Sequence, residues 1–118
     1  MQTQSPPQDV DDAKAFDFFV VLVTVPVAEA AALARQLVQE GLAACGNITP
    51  SVRSIYRWQG EICDDEEALI FFKTPRAQFE ALRARVVELH SYDVPEVIAL
   101  PIVAGHRPYL DWLAGVGA

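Results

Sequence analysis

Three segments of this 118-residue chain, residues 18–23, 69–72 and 97–100, are apolar without interruption. They are short, rich in β-branched and aromatic residues, and the first runs on to a stop at Pro26, so they read as strands. A strand with one solvated face alternates apolar and polar side chains, because successive residues point to opposite faces. These three do not alternate. The sheet they build should therefore be covered on both faces, and whatever covers the second face must be found either in this chain or in another copy of it.

The remaining periodicity places the other elements. Ala30, Leu33, Ala34, Leu37 and Val38 recur at helical spacing and Gly41 follows as a stop, which predicts a first helix over about residues 27–40. An extended segment over residues 43–58 is interrupted at Pro50, where a missing N–H marks a bulge or a change of partner, so the strand should split there. Gln59-Gly60 sits between two strand-like runs as a two-residue hairpin turn, and residues 62–73 return as the partner strand. Thr74-Pro75 reads as an N-cap with proline at the first helical position. Phe79, Leu82, Val86 and Leu89 then mark one face of a second helix ending near His90. A last strand and a short final helix beginning at Pro108 complete the chain. Strand, helix, long hairpin, helix, strand is an α+β order, the split βαβ arrangement of ferredoxin-like folds with a short C-terminal helix added. Two helices cover one face of such a sheet. With no further element large enough for the other, a second copy of the chain is the economical cover.

Residues 1–17 hold two prolines and four aspartates against one lysine, with no hydrophobic period, and read as a disordered tail before a single domain over residues 18–118. The formal charge is −7, from 16 acidic and 9 basic side chains with no basic run, which makes nucleic acid and anionic membrane poor partners. No apolar stretch approaches the roughly 20 residues of a membrane span, and the N-terminus lacks a signal-peptide pattern, so a cytoplasmic location is expected. Cys45 and Cys63 are too few for a disulfide framework. If Gln59-Gly60 sets the register, Cys63 faces Tyr56 and lies on the order of 30 Å from Cys45, too far for a bond between them.

Five blocks carry a resemblance: Leu42-Ala-Ala-Cys-Gly-Asn-Ile, Ser54-Ile-Tyr-Arg-Trp-Gln-Gly, Lys73-Thr, Leu89-His-Ser-Tyr-Asp-Val-Pro-Glu and Tyr109-Leu-Asp-Trp. In this order they resemble the signature blocks of the CutA family, the divalent-cation-tolerance proteins, over nearly the whole chain from residue 18 to about 113. The resemblance implies a homotrimer whose long hairpins pair between subunits, a non-enzymatic role in tolerance of divalent metals such as copper, and copper or another divalent cation as the bound metal. The trimeric design is in turn similar to that of PII signalling proteins, which bind small ligands in clefts between subunits; that is a second functional reading, by analogy of architecture.

His90 is at a position similar to a copper ligand proposed for some family members, with Glu96 and Cys45 as further donors of suitable softness and charge. A helix-terminal histidine also serves to cap carbonyls, a free cysteine to fill a core, and Val23 stands where those members carry a thiol. Tyr56, Trp58, Lys73, Glu96, Tyr109 and Trp112 resemble the lining of the family's intersubunit cleft. Buried aromatics alone are ordinary interface filling, but a lysine and a glutamate among them need partners, and such a cleft would take a small anion, a nucleotide or a metal complex. The acidic group Glu61, Asp64, Asp65, Glu66 and Glu67 reads as a solvated edge that discourages aggregation, with weak cation collection as the alternative, and Arg53 and Arg57 as partial offsets. A metallochaperone Cys-x-x-Cys pair is missing. An acylphosphatase-like anion loop is missing too, because Thr24-Val-Pro-Val-Ala-Glu has neither glycine nor arginine.

Overall fold

The computed structural model describes residues 16–115. The elements are β1 (Phe18–Val25), α1 (Ala30–Gln39), β2 (Cys45–Trp58), β3 (Glu61–Pro75), α2 (Phe79–Leu89), β4 (Val97–Pro101) and α3 (Arg107–Ala114). Of the tail expected over residues 1–17, the part up to residue 15 lies outside the described residues. Phe16 and Asp17 are placed, their carbonyls accepting hydrogen bonds from Arg76 at 3.1 and 2.7 Å.

The four strands form one antiparallel sheet in the order β2-β3-β1-β4, the ferredoxin-like split βαβ arrangement that the element order predicts. One face carries Val21, Val23 and Val25 of β1 with Ile70 and Phe72 of β3. Leu33 and Leu37 of α1 and Leu82 and Val86 of α2 pack down on that face to make the core. Gly46 of β2 lies under this layer, where a Cβ would come within 2.9 Å of the Phe72 ring. The chain leaves α1 through Gly41 at φ 73°, with Gly41 N–H on the Val38 carbonyl and Leu42 N–H on that of Leu37, a Schellman closure.

Several expectations are corrected here. Val38 and Leu89, placed on the buried helix faces by their spacing, are exposed. Each is the last or next-to-last residue of its helix, and the buried row stops at Leu37 in α1 and at Val86 in α2. Thr74 and Pro75 do not open α2; they end β3, and a short 3-10 turn, Arg76–Gln78, precedes the helix. Thr74 shares strand parity with Phe72, so its hydroxyl points into the core. There it donates to the Leu42 carbonyl at 2.7 Å, which satisfies a buried group better than a cap would. At the start of α1, residues Val27–Glu29 likewise form a 3-10 turn.

The hairpin turns as expected, with Gln59 and Gly60 both at positive φ (51° and 83°) and Trp58 opposite Glu61. Cys63 lies opposite Tyr56, and both cysteines are free. Pro50 does not split the strand. One residue is added between Thr49 and Val52, a bulge absorbed in a continuous β2. The bulge reverses the alternation of β2: Cys45, Asn47 and Thr49 before it, and Val52, Ser54, Tyr56 and Trp58 after it, all point to the sheet face opposite the two main helices. Because β1 pairs with β3 only from Ala68 to Pro75, the hairpin beyond Val52 and Glu67 projects past the sheet as a two-stranded arm.

The second face of the sheet is not bare. At its Lys73 end it is covered by α3, which buries Leu110 and Leu113, and this corrects the expectation that the chain holds nothing to place there. Cover stops short of β4. Ile98 and Leu100 remain 51% and 53% exposed, so the apolar face that the unbroken strands imply is half finished within one chain.

Candidate functional site

The projecting arm and the 90–96 loop enclose a cleft of about 690 Å³. Tyr56 and Trp58 enter it from the arm, Glu67 from the root of β3, and Tyr92, Asp93 and Glu96 from the loop. The bulge aims the two aromatics, and Pro95 releases the chain from the loop into β4 just after Glu96. None of the described residues lining the cleft is basic. Glu67 is only 4% exposed and takes a hydrogen bond from the Tyr92 hydroxyl at 2.8 Å; Tyr56 donates to Asp65 at 2.5 Å. Burial first, and then the Glu67 hydrogen bond and charge, push the Tyr92 phenol up to about 12. The Tyr56 phenol is raised as well, chiefly by its bond to Asp65. An ultraviolet titration of Glu67→Gln should therefore show one tyrosine ionising at lower pH than in the parent, yet still above about 10, because burial acts without the carboxylate. An unchanged titration would remove Glu67 from the environment of Tyr92.

Of the six residues expected to line one cleft, the single chain brings together only Tyr56, Trp58 and Glu96. Lys73 lies at the other end of the second face, hydrogen-bonded to Asn47 and opposite Cys45 in the β2–β3 register. Tyr109 and Trp112 of α3 stack there with ring centroids 5.5 Å apart, and the Tyr109 hydroxyl is 3.7 Å from the Cys45 sulfur. Burial first, and then this thiol, raise the Tyr109 phenol. Lys73 sits in the row of Val20, whereas Glu96 adjoins Val97, which pairs with Val23. The Lys73–Glu96 pairing expected within the chain is therefore not formed.

The metal donors are also kept apart. His90 ends α2 with its Nε2 2.7 Å from the Thr24 carbonyl, while its Nδ1 accepts the Tyr92 N–H at 3.1 Å, so both ring nitrogens are used inside the chain. Cys45 lies in the row of Val20 and Thr24 is four residues along β1, about 13 Å at the usual strand rise. Among the described residues, no three His, Cys, Asp or Glu side chains converge on a point that would hold a metal ion. The acidic hairpin group disperses as well. Asp64 forms a two-point ion pair with Arg53, Glu66 accepts from Ser51, Asp65 from Tyr56, and Glu67 turns into the cleft. Glu67, Tyr92 and Asp93 are the cleft residues that sequence reasoning missed. Glu67 was legible only as one of five acidic neighbours, since its burial comes from the strand pairing and the loop above it.

A ferredoxin-like sheet with an overlong hairpin and a carboxylate- and aromatic-lined cleft at the arm's root defines a class of small α+β domain. Residues 19–116 match the family model described as CutA1 divalent ion tolerance protein, and the chain belongs to that family. It is 56% identical over 95 residues to the divalent-cation tolerance protein CutA of Thermus thermophilus, covering 80% of this chain and 92% of that one. It is 48% identical over 104 residues to the chloroplastic CutA of Arabidopsis thaliana, covering 87% of this chain but only 57% of that protein's length. Among solved structures, the PII-like protein CutA from Nostoc superposes with a TM-score of 0.79 at 34% identity, covering 83% of this chain and 95% of that one. No described helix is long and apolar enough to cross a membrane.

Proposed function

We propose that this chain acts in tolerance of divalent metals, copper among them, as a cytoplasmic homotrimer that works by binding a small ligand in the cleft at the root of the arm, in the manner of PII-like proteins. The observation that carries this reading is the half-finished second face. Ile98 and Leu100 stay exposed beside a projecting arm whose outer strand edges have no partner among the described residues, and such a surface is completed by further copies. Family likeness supplies the number three. The two unbridged thiols support the reducing compartment. In an assembly of this kind, Lys73, Tyr109 and Trp112 of one copy can reach the Tyr56–Trp58–Glu96 cleft of the next, which reunites the six residues that a single chain separates.

Direct copper binding through Cys45, His90 and Glu96 is the second reading, supported by the donor types. It requires those groups to converge from different copies and His90 to give up a bond to Thr24 or Tyr92. Light scattering should give a mass near three chains, and a stable single chain would end the proposal. Calorimetric titration of the reduced protein with copper separates the two readings: on the cleft reading, copper affinity is the same in the parent and in Cys45→Ser.

A further inference from the structure

The cleft reading leaves both thiols unused, yet their placement follows the same division as the cleft residues. Cys45 pairs with Lys73 in the β2–β3 register, and its sulfur is 3.7 Å from the Tyr109 hydroxyl. Cys63 pairs with Tyr56. Residues directly opposite in an antiparallel ladder project to the same face. Both cysteines therefore lie on the face opposite the two main helices, the face that a single chain leaves half finished, and each is partly exposed there. Cys63 goes with the group of Tyr56, Trp58 and Glu96, and Cys45 with the group of Lys73, Tyr109 and Trp112.

Within one chain the two sulfurs cannot meet. The rows of Cys45 and Cys63 are on the order of 30 Å apart along β2 at the usual strand rise, and bonded cysteines need Cα atoms within about 7 Å. An interface that sets the Tyr56 group of one copy against the Lys73 group of the next is head-to-tail, and it closes into a ring in which every interface is the same. At each interface Cys63 of one copy then faces the surroundings of Cys45 of the next. We propose that Cys63 and Cys45 of adjacent copies form a reversible disulfide, a redox modification site that locks each cleft between two copies. This inference rests on the assembly proposed above and adds a regulation of its cleft. Two thiols give up two protons and two electrons to an acceptor such as hydrogen peroxide, which is reduced to water, while one S–S bond forms at each interface. In a reducing compartment both cysteines stay thiols, and the bridge forms when that compartment is oxidised. Because the bond lies beside Tyr56, it restrains the arm against the wall that Lys73 and Tyr109 of the neighbour supply.

The test oxidises the full chain with diamide, which takes up the same two electrons and two protons. Remaining thiols are blocked with N-ethylmaleimide, and the products are separated by denaturing electrophoresis without reductant. Light scattering records the mass of every sample before oxidation. The expected result is that the parent runs as three covalently joined chains and returns to single chains with dithiothreitol. Its yield should not fall on dilution, since bonding inside an assembly does not depend on protein concentration. Cys45→Ser and Cys63→Ser should each keep the three-chain mass and stay single chains on the gel. Co-expressed, so that they assemble together, the two variants should give a two-chain product, because each copy then carries half of one bridge. A parent of three-chain mass that stays single chains after oxidation, or whose product stops at two chains, overturns the inference and leaves the assembly standing. No two-chain product from the co-expressed variants does the same. Cross-linked chains in either single variant mean that like cysteines meet, which overturns the head-to-tail pairing. A parent of single-chain mass overturns both the inference and the assembly beneath it.

Discussion

Phe72→Ala is expected to lower the unfolding free energy by about 3–5 kcal/mol, the range for truncating a fully buried aromatic side chain. Phe72 is completely buried in the part of β3 that pairs with both β1 and β2, and its ring lies on Gly46, which Ala34 also closely approaches, two of the smallest residues available. Neither can move in to fill the space, since Gly46 has no side chain and Ala34 has one carbon on a helix already seated against the sheet. The loss should therefore stand near the upper part of the range. Denaturant unfolding at a fixed protein concentration measures it, because association would make the midpoint depend on concentration. A loss below about 1 kcal/mol would mean that the strands rearrange around the cavity and that the Gly46 contact does not set the β2–β3 spacing.

His90→Ala should cost about 2–4 kcal/mol and leave copper affinity where it was. The side chain is nearly buried and ties two segments together, with Nε2 on the Thr24 carbonyl of β1 and Nδ1 accepting the Tyr92 N–H of the following loop. Alanine leaves that carbonyl and that N–H without partners and loosens the loop that holds Tyr92 on Glu67. Cleft binding should weaken with it. A stability change within about 0.5 kcal/mol, the range of an ordinary surface substitution, would deny His90 this role. A large fall in copper affinity with the fold intact would make it a ligand and revive direct metal binding.

The residue types and spacings by themselves determined the element order, the hairpin register and the unbroken apolar strands, because each is a local property. Periodicity follows from which face a helix or strand buries. The register Trp58–Glu61 follows from a two-residue turn whose two positive φ angles Gln59 and Gly60 can supply. Family membership was legible for the same reason, since its five blocks are strings of adjacent residues. Where local rules failed, a distant partner had intervened. Thr74 looks like a helix cap, but the Leu42 carbonyl, 32 residues away in sequence, claims its hydroxyl.

The site was decided by tertiary structure. A single added residue at Pro50-Ser51 turns Tyr56 and Trp58 onto the same sheet face as Glu67, and counting alternation from Cys45 would have put them on the other. Lys73 and Glu96 adjoin helix and loop boundaries that look close in a topology diagram, yet they lie at opposite ends of β1, because antiparallel pairing places the start of β4 beside the end of β1 and the end of β3 beside its start. Residue order decides which side chains a strand carries, while only the pairing of strands decides which of them meet, and here that pairing separates Lys73 from Glu96 within one chain.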